Sequence, residues 1–363
     1  MALLIWVAMM KIMLYRGCKK VKQYNSQYFK YIALDKQLRE IQDITCYVEQ
    51  GGTIEYNSLT SLKATCDIPI SLAINEKLNL DAIRIYEVLN GTERPLGTFL
   101  IANPSANFTD SIQSTSCVGY STLWRINANT PSGKFYLPKG TNCINEIKRI
   151  LDTLGYEYDI SDSEGCTNTN REWKIGTSYL DIINDLLEVV NYTSLYVNEM
   201  GNYIAKPYVL PNDREIELTL DEDDVDNVLE QHLVSEIDLF NIPNKFIRYC
   251  SSSPELALYA EYENVYGETG TNNTWTQVDA QEVQDVANYD TLYEMCKKAC
   301  ADANSIYHKV QIATAIQPIS TYMSTIQLHQ YQVNDKYSCT SFIIHLETGG
   351  SLEMNLRKII SIV

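Results

Sequence analysis

Short runs of alternating polar and apolar residues, separated by turn residues, fill the stretch from 44 to 125. A period of two is typical of β-strands with one buried face, and this pattern constrains the fold more than any other feature of the chain. The runs are ITCYVEQ, SLKATCDIPISL, DAIRIYEVL, GTFLIANP and SIQSTSCVGYSTL. Five strands at this spacing predict a small barrel or sandwich.

The stretch 94–110, RPLGTFLIANPSANFTD, shows what such a strand contains. Apolar residues occur in both alternating sets, so we expect both faces of the strand to be covered. Gly97 permits a bend where the strand begins, and Pro104 is predicted to end it because proline has no N–H to donate to a ladder. Since the stretch carries no nucleophile motif, carboxylate pair or phosphate-binding loop, we interpret it as a structural strand.

From residue 135 to residue 210, helical patterns replace the alternation of polar and apolar residues. NCINEIKRILDTLG places its isoleucines and leucines on one helical face and ends at Gly155, a predicted C-terminal cap. SYLDIINDLLEVV begins with Ser178 and Asp181, which have the spacing of a capping box. The following TSLYVNEMGNYIAKPYV predicts a hairpin that turns near residues 200–202. This part of the chain is therefore predicted to be an α+β insertion.

A second set of alternating runs begins near residue 235 and is interrupted by one predicted helix over about 289–306. Its VQIATAIQP resembles FLIANP of the first set, since both are strands followed by proline, and this suggests two related units. The runs are SEIDLFNIPNKFIRYC, ELALYAEYENVYG, KVQIATAIQP, STIQLHQYQV, TSFIIHLETGG and LEMNLRKIISI.

Together these patterns predict an α+β fold that is mainly β, with two related small antiparallel β-barrel domains and α+β insertions. A chain of 363 residues is long enough for more than one domain. The predicted divisions are a basic N-terminal arm (1–40), a first β-barrel domain (41–130), an α+β insertion and linker (131–234), and a second β-barrel domain with one helix (235–363).

The net charge of −17 is unevenly distributed. Residues 1–40 carry eight Lys and Arg against two acidic residues, which gives +6 there and leaves −23 on the remainder. An acidic body argues against nucleic-acid recognition, because phosphate binding needs a basic surface. Two interpretations of the basic arm stay open: it docks on an acidic partner or neighbouring copy, or it is a solvated extension.

The apolar run ALLIWVAMM occupies residues 2–10. Lys11 interrupts it well before the roughly 20 apolar residues that a membrane-spanning helix needs, so we expect no membrane span. Either this run is a docking segment, or translation begins at Met10.

Ten cysteines show no spacing typical of a disulfide framework, and we expect free thiols in a reducing cytosol. Cys296 and Cys300, one helical turn apart with His308 beyond them, are the strongest metal candidates. Two thiols supply only half of a tetrahedral zinc site, and Cys296 lies on the apolar stripe of its predicted helix. We therefore interpret both as core cysteines.

The acidic run DEDDVDNVLEQ at 221–231 does not fit a calcium loop. Such a loop needs glycine at its sixth place and glutamate at its twelfth, where this chain has Asp226 and His232. The four histidines are widely separated, and no serine-hydrolase, zinc-protease, P-loop or dinucleotide motif occurs in a suitable context. No catalytic, cofactor-binding or metal-binding residue is therefore predicted, and no cofactor.

Five segments occur in an order that is similar to a known family: RPLGTFLIANPSANF, SCVGYSTLWRIN, LPKGTNCINEI, TSYLDIINDLLEVVNYTSLYVNEMGNYIAKPY and DLFNIPNKFIRY. Over residues 44–363 the chain resembles the baseplate hub proteins of phage tails and phage-tail-like contractile particles. The most specific pieces are 178–208 and 238–246, whereas the first 40 residues match no pattern of that family.

The resemblance implies a structural protein rather than an enzyme, with two similar β-barrels joined by smaller α+β insertions. Three copies would form a ring of pseudo-sixfold symmetry that adapts a sixfold tail tube to a threefold spike. The implied partners are further copies of the chain, the tail tube protein and the spike protein, with the tape-measure protein as a further candidate. The implied location is the baseplate of a virion or of a tail-like particle such as a tailocin or contractile injection system, assembled in the bacterial cytoplasm.

Two other classes of function stay open. A cell-wall-degrading tail hydrolase needs only two carboxylates with no shared local motif, and the chain has 46 Asp and Glu without singling out any pair. A carbohydrate-binding β protein would use an aromatic groove, for which the 26 Tyr and 4 Trp provide material.

Overall fold

The computed structural model describes residues 26–73, 80–109, 112–224, 228–237, 242–250, 258–305 and 308–360. The apolar run at 2–10, with the alternative start Met10, lies outside them, as do residues 225–227 of the acidic run and 238–241 of DLFNIPNKF. The protein has an α+β fold that is mainly β, as predicted.

The first β region contains β1 (Gln27–Leu34), β2 (Glu40–Asp43), β3 (Gly52–Asn57), β4 (Ala64–Ala73), β5 (Ala82–Leu89), β6 (Thr92–Thr109) and β7 (Ile112–Ser121). Six of these strands pair in the order β1-β5-β6-β7-β4-β3, and every neighbouring pair is antiparallel. We call these six strands module 1. The short strand β2 pairs with the other edge of β1.

The insertion contains helices α1 (Leu123–Ala128), α2 (Cys143–Leu154) and α3 (Tyr179–Val189), with short strands β8 (Phe135–Leu137), β9 (Tyr158–Ile160), β10 (Arg171–Trp173), β11 (Tyr196–Val197) and β12 (Tyr203–Ala205). Both predicted caps are confirmed. Gly155 ends α2 in the left-handed region with φ 74°, and the Ser178 hydroxyl accepts a hydrogen bond from the Asp181 N–H at 3.0 Å. The predicted hairpin is β11–β12, which turns at Gly201.

The second β region contains β13 (Leu218–Asp221), β14 (Val234–Ile237), β18 (His308–Ala315), β19 (Thr325–Gln330), β20 (Val333–Leu346) and β21 (Ser351–Lys358). These six strands, module 2, pair in the order β13-β19-β20-β21-β18-β14. Between β14 and β18 lies an inserted unit made of β15 (Lys245–Cys250), β16 (Leu258–Glu263), β17 (Val278–Glu282) and α4 (Tyr289–Ser305). Its three strands form a separate sheet.

The two modules have the same strand connectivity. Numbered by their order along the chain, the six strands of each module pair as first, fourth, fifth, sixth, third and second. One direction differs, because β13 runs parallel to β19 whereas β1 runs antiparallel to β5. The two regions are therefore topological repeats, which a short likeness between two proline-containing segments only hinted at.

The modules merge through pairing of β3 with β20. This contact completes a 13-stranded sheet, and one hydrophobic cluster runs from Phe29 in β1 to Leu356 in β21. Among the described strands no pairing closes either module into a separate barrel. The boundaries at 131 and 235 stay predictions.

Part of the predicted basic arm is sheet. β1 pairs with β5 along all eight residues, from Gln27 opposite Leu89 to Leu34 opposite Ala82. The prediction of an arm is therefore wrong from residue 27 onward. The high Lys content concealed a strand in which Phe29 and Tyr31 are buried while Lys30 reaches the surface.

Two other strand predictions were also wrong. β6 continues past Pro104, because the register shifts between Ala102 and Ser105 and a bulge accommodates the proline. Residues 44–50 form no strand but contain a 3₁₀ turn at Thr45–Tyr47, and the strand of this region, β3, begins at Gly52.

Candidate interaction surfaces

The joint between the modules is a buried aromatic contact. Six residues of β3 lie opposite six of β20, and the rings of Tyr56 and Phe342 stack with centroids 4.9 Å apart. Tyr56 is buried, which raises the pKa of its phenol, and its hydroxyl donates a hydrogen bond to the Leu96 carbonyl at 2.7 Å. The contact therefore unites the modules in one core.

The β11–β12 hairpin of the insertion is held by both modules. From module 1, the Arg84 guanidinium donates to the Met200 carbonyl at 3.2 Å, and the Thr98 hydroxyl donates to the Glu199 carbonyl at 2.9 Å. From module 2, the Thr321 hydroxyl donates to the Val197 carbonyl at 2.7 Å. Each bond satisfies a backbone carbonyl of the hairpin, so the insertion has a fixed position on the modules.

The inserted unit has one covered and one open face. Phe246, Ala260 and Tyr262 pack against Leu292 and Cys296 of α4. The residues that alternate with these along the strands form the opposite face of the sheet. This face combines apolar and acidic side chains with one lysine. Its members are Lys245, Ile247, Tyr249, Tyr259, Glu261, Glu263, Val278, Ala280 and Glu282.

A loop beside this face presents Trp275, which is 78% exposed. The loop is nevertheless fixed, because the fully buried Asn244 amide donates to the Trp275 carbonyl at 3.0 Å and to the Thr274 hydroxyl at 3.0 Å. The Asn244 carbonyl oxygen also accepts from the Gln277 N–H at 2.9 Å. Exposed aromatic residues on an ordered scaffold are typical of protein interaction surfaces.

The two candidate thiols lie in the core of the inserted unit. Cys296 and Cys300 are both fully buried on α4. Burial raises the pKa of both thiols, that of Cys300 to about 12, so they stay protonated near neutral pH. His308 lies on β18 instead, with its Nε2 2.7 Å from the Ser235 hydroxyl of β14. In the part of the chain that the structure describes, no group of three potential ligands could hold a metal ion.

The described part of the acidic run begins as a strand and continues as a turn. Asp221 closes β13, and its carboxylate accepts from the Asp223 N–H at 2.8 Å. The sixth place, Asp226, lies outside the described residues, and His232 is exposed. The geometry gives no support to an ion site.

Two clefts combine carboxylates with arginines. One of about 440 Å³ lies between the modules and is lined by Glu199, Glu217 and Phe342. Another of about 260 Å³ is lined by Asp213 and Asp302. Arginines line both clefts, and the Glu217 carboxylate accepts from the Ser324 hydroxyl at 2.9 Å. Burial raises the pKa of the Asp302 carboxyl in the second cleft, and the positive charges of Lys298, Arg214 and Arg357 oppose this effect.

No protein-family model matches the sequence, and no curated protein matches it. Solved structures match over nearly all of the chain. A tail protein from Neisseria meningitidis MC58 matches with a TM-score of 0.65 and 12% identity, covering 92% of this chain and 97% of that one. The 43 kDa tail protein of prophage MuSo2 from Shewanella oneidensis matches with a TM-score of 0.62 and 10% identity, covering 91% and 97%. The chain has the fold of phage tail proteins.

A component of the E. coli type VI secretion system, described as similar in structure to the T4 tail proteins gp27 and gp5, also matches. Its TM-score is 0.54 at 8% identity, over 86% of this chain and 74% of that one. The predicted resemblance to tail baseplate hub proteins is therefore confirmed at the level of the fold. In the described residues, no helix is both long and apolar enough to cross a membrane.

The sequence did not reveal three features of these surfaces. The β3–β20 joint has no local signal, because its partners lie far apart in the chain. Trp275 follows a polar TNNT stretch typical of any loop. The outer face of the inserted unit had a weak signal, since Tyr259, Glu261 and Glu263 recur at every second position of ALYAEYE.

Proposed function

We propose that the protein is a structural hub of a phage-tail or tail-like baseplate. In this proposal three copies form a ring that joins a sixfold tail tube to a threefold spike. The observation that carries it is the topological repeat: each chain contributes two modules of the same connectivity, so three chains provide six equivalent units. The tail-protein fold supports a role in tail structure.

A repeated module resolves the mismatch between the two symmetries. Six similar surfaces can meet a sixfold tube, while features found once per chain, such as the α+β insertion, recur three times and can meet a threefold spike. The proposed partners are therefore other copies of the chain, the tail tube protein and the spike protein, with the tape-measure protein as a further candidate. The proposed location is the particle baseplate, after assembly in the bacterial cytoplasm.

The proposed role is structural and not enzymatic. To test this, the purified protein would be incubated with bacterial cell walls and released muropeptides measured by chromatography. We expect release at the level of heat-denatured protein. Release that falls on a Glu217→Gln or Asp302→Asn substitution would favour the hydrolase instead.

Residues 1–25 are proposed to be an assembly element. They contain five Lys and Arg and no acidic residue, whereas the remainder of the chain is acidic. Deleting residues 1–25 leaves β1 intact, so the variant should fold but enter particles less efficiently. Full incorporation would show that the segment is dispensable or that translation begins at Met10.

The hub proposal itself is tested by imaging. Co-expression with the tube and spike proteins of the same particle should give complexes whose reconstruction contains three copies of this chain in one ring. A ring of six copies would contradict the proposal, because the chain would then supply the sixfold symmetry without using its internal repeat.

A further inference from the structure

The outer face of the inserted unit exposes several large apolar side chains together. Tyr249 and Tyr259 lie directly opposite each other in the ladder and are 39% and 51% exposed. Val278 on the neighbouring strand is 54% exposed, and Trp275 stands in the loop that leads into it. Neighbours on one face of a sheet are close enough for one ligand to cover them at once. The face therefore has the character of a binding surface.

The same face is acidic. Its charged members are Glu261, Glu263 and Glu282, with a single Lys245. The Glu261 carboxylate accepts hydrogen bonds from the Tyr259 hydroxyl at 2.6 Å and from the Lys245 ammonium at 3.3 Å, so it is held beside the exposed rings. Residues 242–305 as a whole carry ten acidic and four basic side chains. A partner that complements this face should combine apolar with basic groups.

One segment of the chain has this composition. Residues 11–22, KIMLYRGCKKVK, lie outside the described residues and contain five basic side chains and no acidic one. The apolar run 12–15 stands between Lys11 and Arg16. Lysine and arginine bind the faces of aromatic rings as well as carboxylates. The segment is present in the chain whether translation begins at Met1 or at Met10.

The acidic turn at 221–224 is a poorer match for this segment. Its sequence, DEDD, offers negative charge but no apolar side chain. On that turn the apolar run 12–15 would stay uncovered, whereas the outer face of the inserted unit can receive apolar and basic groups together. The mixed composition of both partners therefore favours the outer face.

The segment is long enough to reach this face in its own chain. At the start of β1, the Gln27 side-chain oxygen accepts from the Gly349 N–H at 3.0 Å, just before β21 begins. The inserted unit joins module 2 at the other end of β21, because β18 begins there at His308, near Arg357. The eight residues of β21 span about 25 Å, whereas residues 11–25 can extend over about 50 Å.

We infer that residues 11–22 dock on the outer face of the inserted unit in the same chain. Their apolar side chains cover the exposed rings, and their basic side chains lie on the glutamates of the face. A tether within one chain raises the effective concentration of the segment above that of a segment on another molecule. A partner that binds this face must displace the segment first. The inference goes beyond the proposed function, because the docking needs neither a ring nor a tail protein.

Zero-length cross-linking of the full chain tests the contact. A carbodiimide joins a lysine amine to a carboxylate where the two groups touch, and mass spectrometry identifies the joined peptides. We expect the lysines of residues 11–22 to be joined to Glu261, Glu263 or Glu282. Joining chiefly to the acidic turn at 221–224, or to none of the three glutamates, would overturn the inference.

Removal of exposed rings distinguishes docking from simple charge attraction. Tyr259→Thr with Trp275→Ala leaves the three glutamates in place, and threonine keeps a high β propensity. This variant should lose the cross-links, and trypsin should cut faster after the basic residues of 11–22. Tyr136→Thr with Trp124→Ala is the matched control, because these rings are 54% and 47% exposed on the α+β insertion. The control should behave like the natural chain, and an equal change in both variants, or in neither, would contradict the inference.

A mixture of isotopically labelled and unlabelled chains identifies which copy supplies the segment. Docking within a chain joins peptides of the same isotope only, which is the expected result. Joined peptides that combine the two isotopes as often as random pairing would overturn docking within the chain. The hub proposal is tested separately by imaging, so a ring of six copies would contradict that proposal and leave the docking upheld.

Discussion

Modules 1 and 2 share their strand order but differ in the connection between their second and third strands. In module 1, residues 58–63 join β3 to β4, whereas in module 2 the whole inserted unit lies between β14 and β18. The pairing order is unchanged by this addition. The comparison teaches that the order is determined by the strands and their core, and that a connection can grow without altering it.

The outermost strands also differ between the modules without changing the pairing order. β1 and β13 occupy equivalent edges but run in opposite directions relative to their neighbours. Both contribute to the shared core, β1 through Phe29 and Tyr31 and β13 through Leu220. Burial of apolar side chains at this edge is thus common to the two modules, while the direction of the chain is not.

Removing one outer strand should have the largest effect. A chain that begins at residue 41 lacks β1 and exposes the apolar face of β5, including Ile83 and Ile85. We expect it to lose cooperative thermal unfolding measured by circular dichroism, whereas a chain that begins at residue 26 should unfold like the full protein. Equal unfolding temperatures of the two truncations would show that module 1 does not depend on β1.

Breaking the joint should have the next largest effect. Phe342 is 4% exposed, so Phe342→Ala should lower the free energy of unfolding by about 3–5 kcal/mol through the cavity it leaves. Tyr56→Phe keeps the ring and leaves the Leu96 carbonyl without its donor, which should cost about 1 kcal/mol. Urea unfolding measures both. A Phe342→Ala chain as stable as the natural one would show that the joint does not depend on this ring contact.

A smaller effect is expected in the inserted unit, which module 1 lacks. Cys296→Ala and Cys300→Ala should each lower the free energy of unfolding by about 1 kcal/mol, because each removes a packed thiol. Elemental analysis of the purified protein should find no stoichiometric zinc. Zinc that is present in the natural chain and lost in the double variant would show a metal role for the unit.

The smallest expected effect is a pH dependence of stability that differs between the two modules. Burial lowers the pKa of His308 below its ordinary value of 6.5, so the unfolded chain binds the proton more readily than the folded one. Stability at the β14–β18 edge should therefore be complete above pH 6.5 and fall as the pH drops through the lowered pKa.

Hydrogen exchange measures this effect locally. Exchange of the β14 amides should accelerate on acidification while that of β3, whose partner at the equivalent place is Ala64, should show no such titration. His308→Gln serves as the control and should abolish the pH dependence. An unchanged pH profile in that variant would assign the effect to another group.

Local features of this fold were predictable from the sequence. The Ser178 cap and the Gly155 cap depend on residues within a few positions of each other, so their patterns are complete in a short window. The buried stripe of α4, which includes Leu292 and Cys296, is likewise visible from helical spacing. The family resemblance predicted two related β regions, and the shared strand order supports their relation.

Features that depend on distant contacts were not predictable. The joint pairs Asn57 with Ser341, and no local pattern specifies which of many alternating runs will be neighbours. The local sequence at Pro104 predicts the end of a strand. Pairing with β7 on both sides of the proline nevertheless keeps β6 intact across a bulge. The interaction surfaces could not be predicted for a related reason. Whether a strand edge is exposed depends on which distant strands pair with it, and no local pattern specifies that.

The antiparallel joint also has a mechanical consequence. Pulling the two modules apart along the strands loads the hydrogen bonds between β3 and β20 in shear, so all six residue pairs resist together. Pulling across the strands loads the same bonds one after another, as in opening a zip. The joint between the modules therefore resists separation best along the direction of β3 and β20.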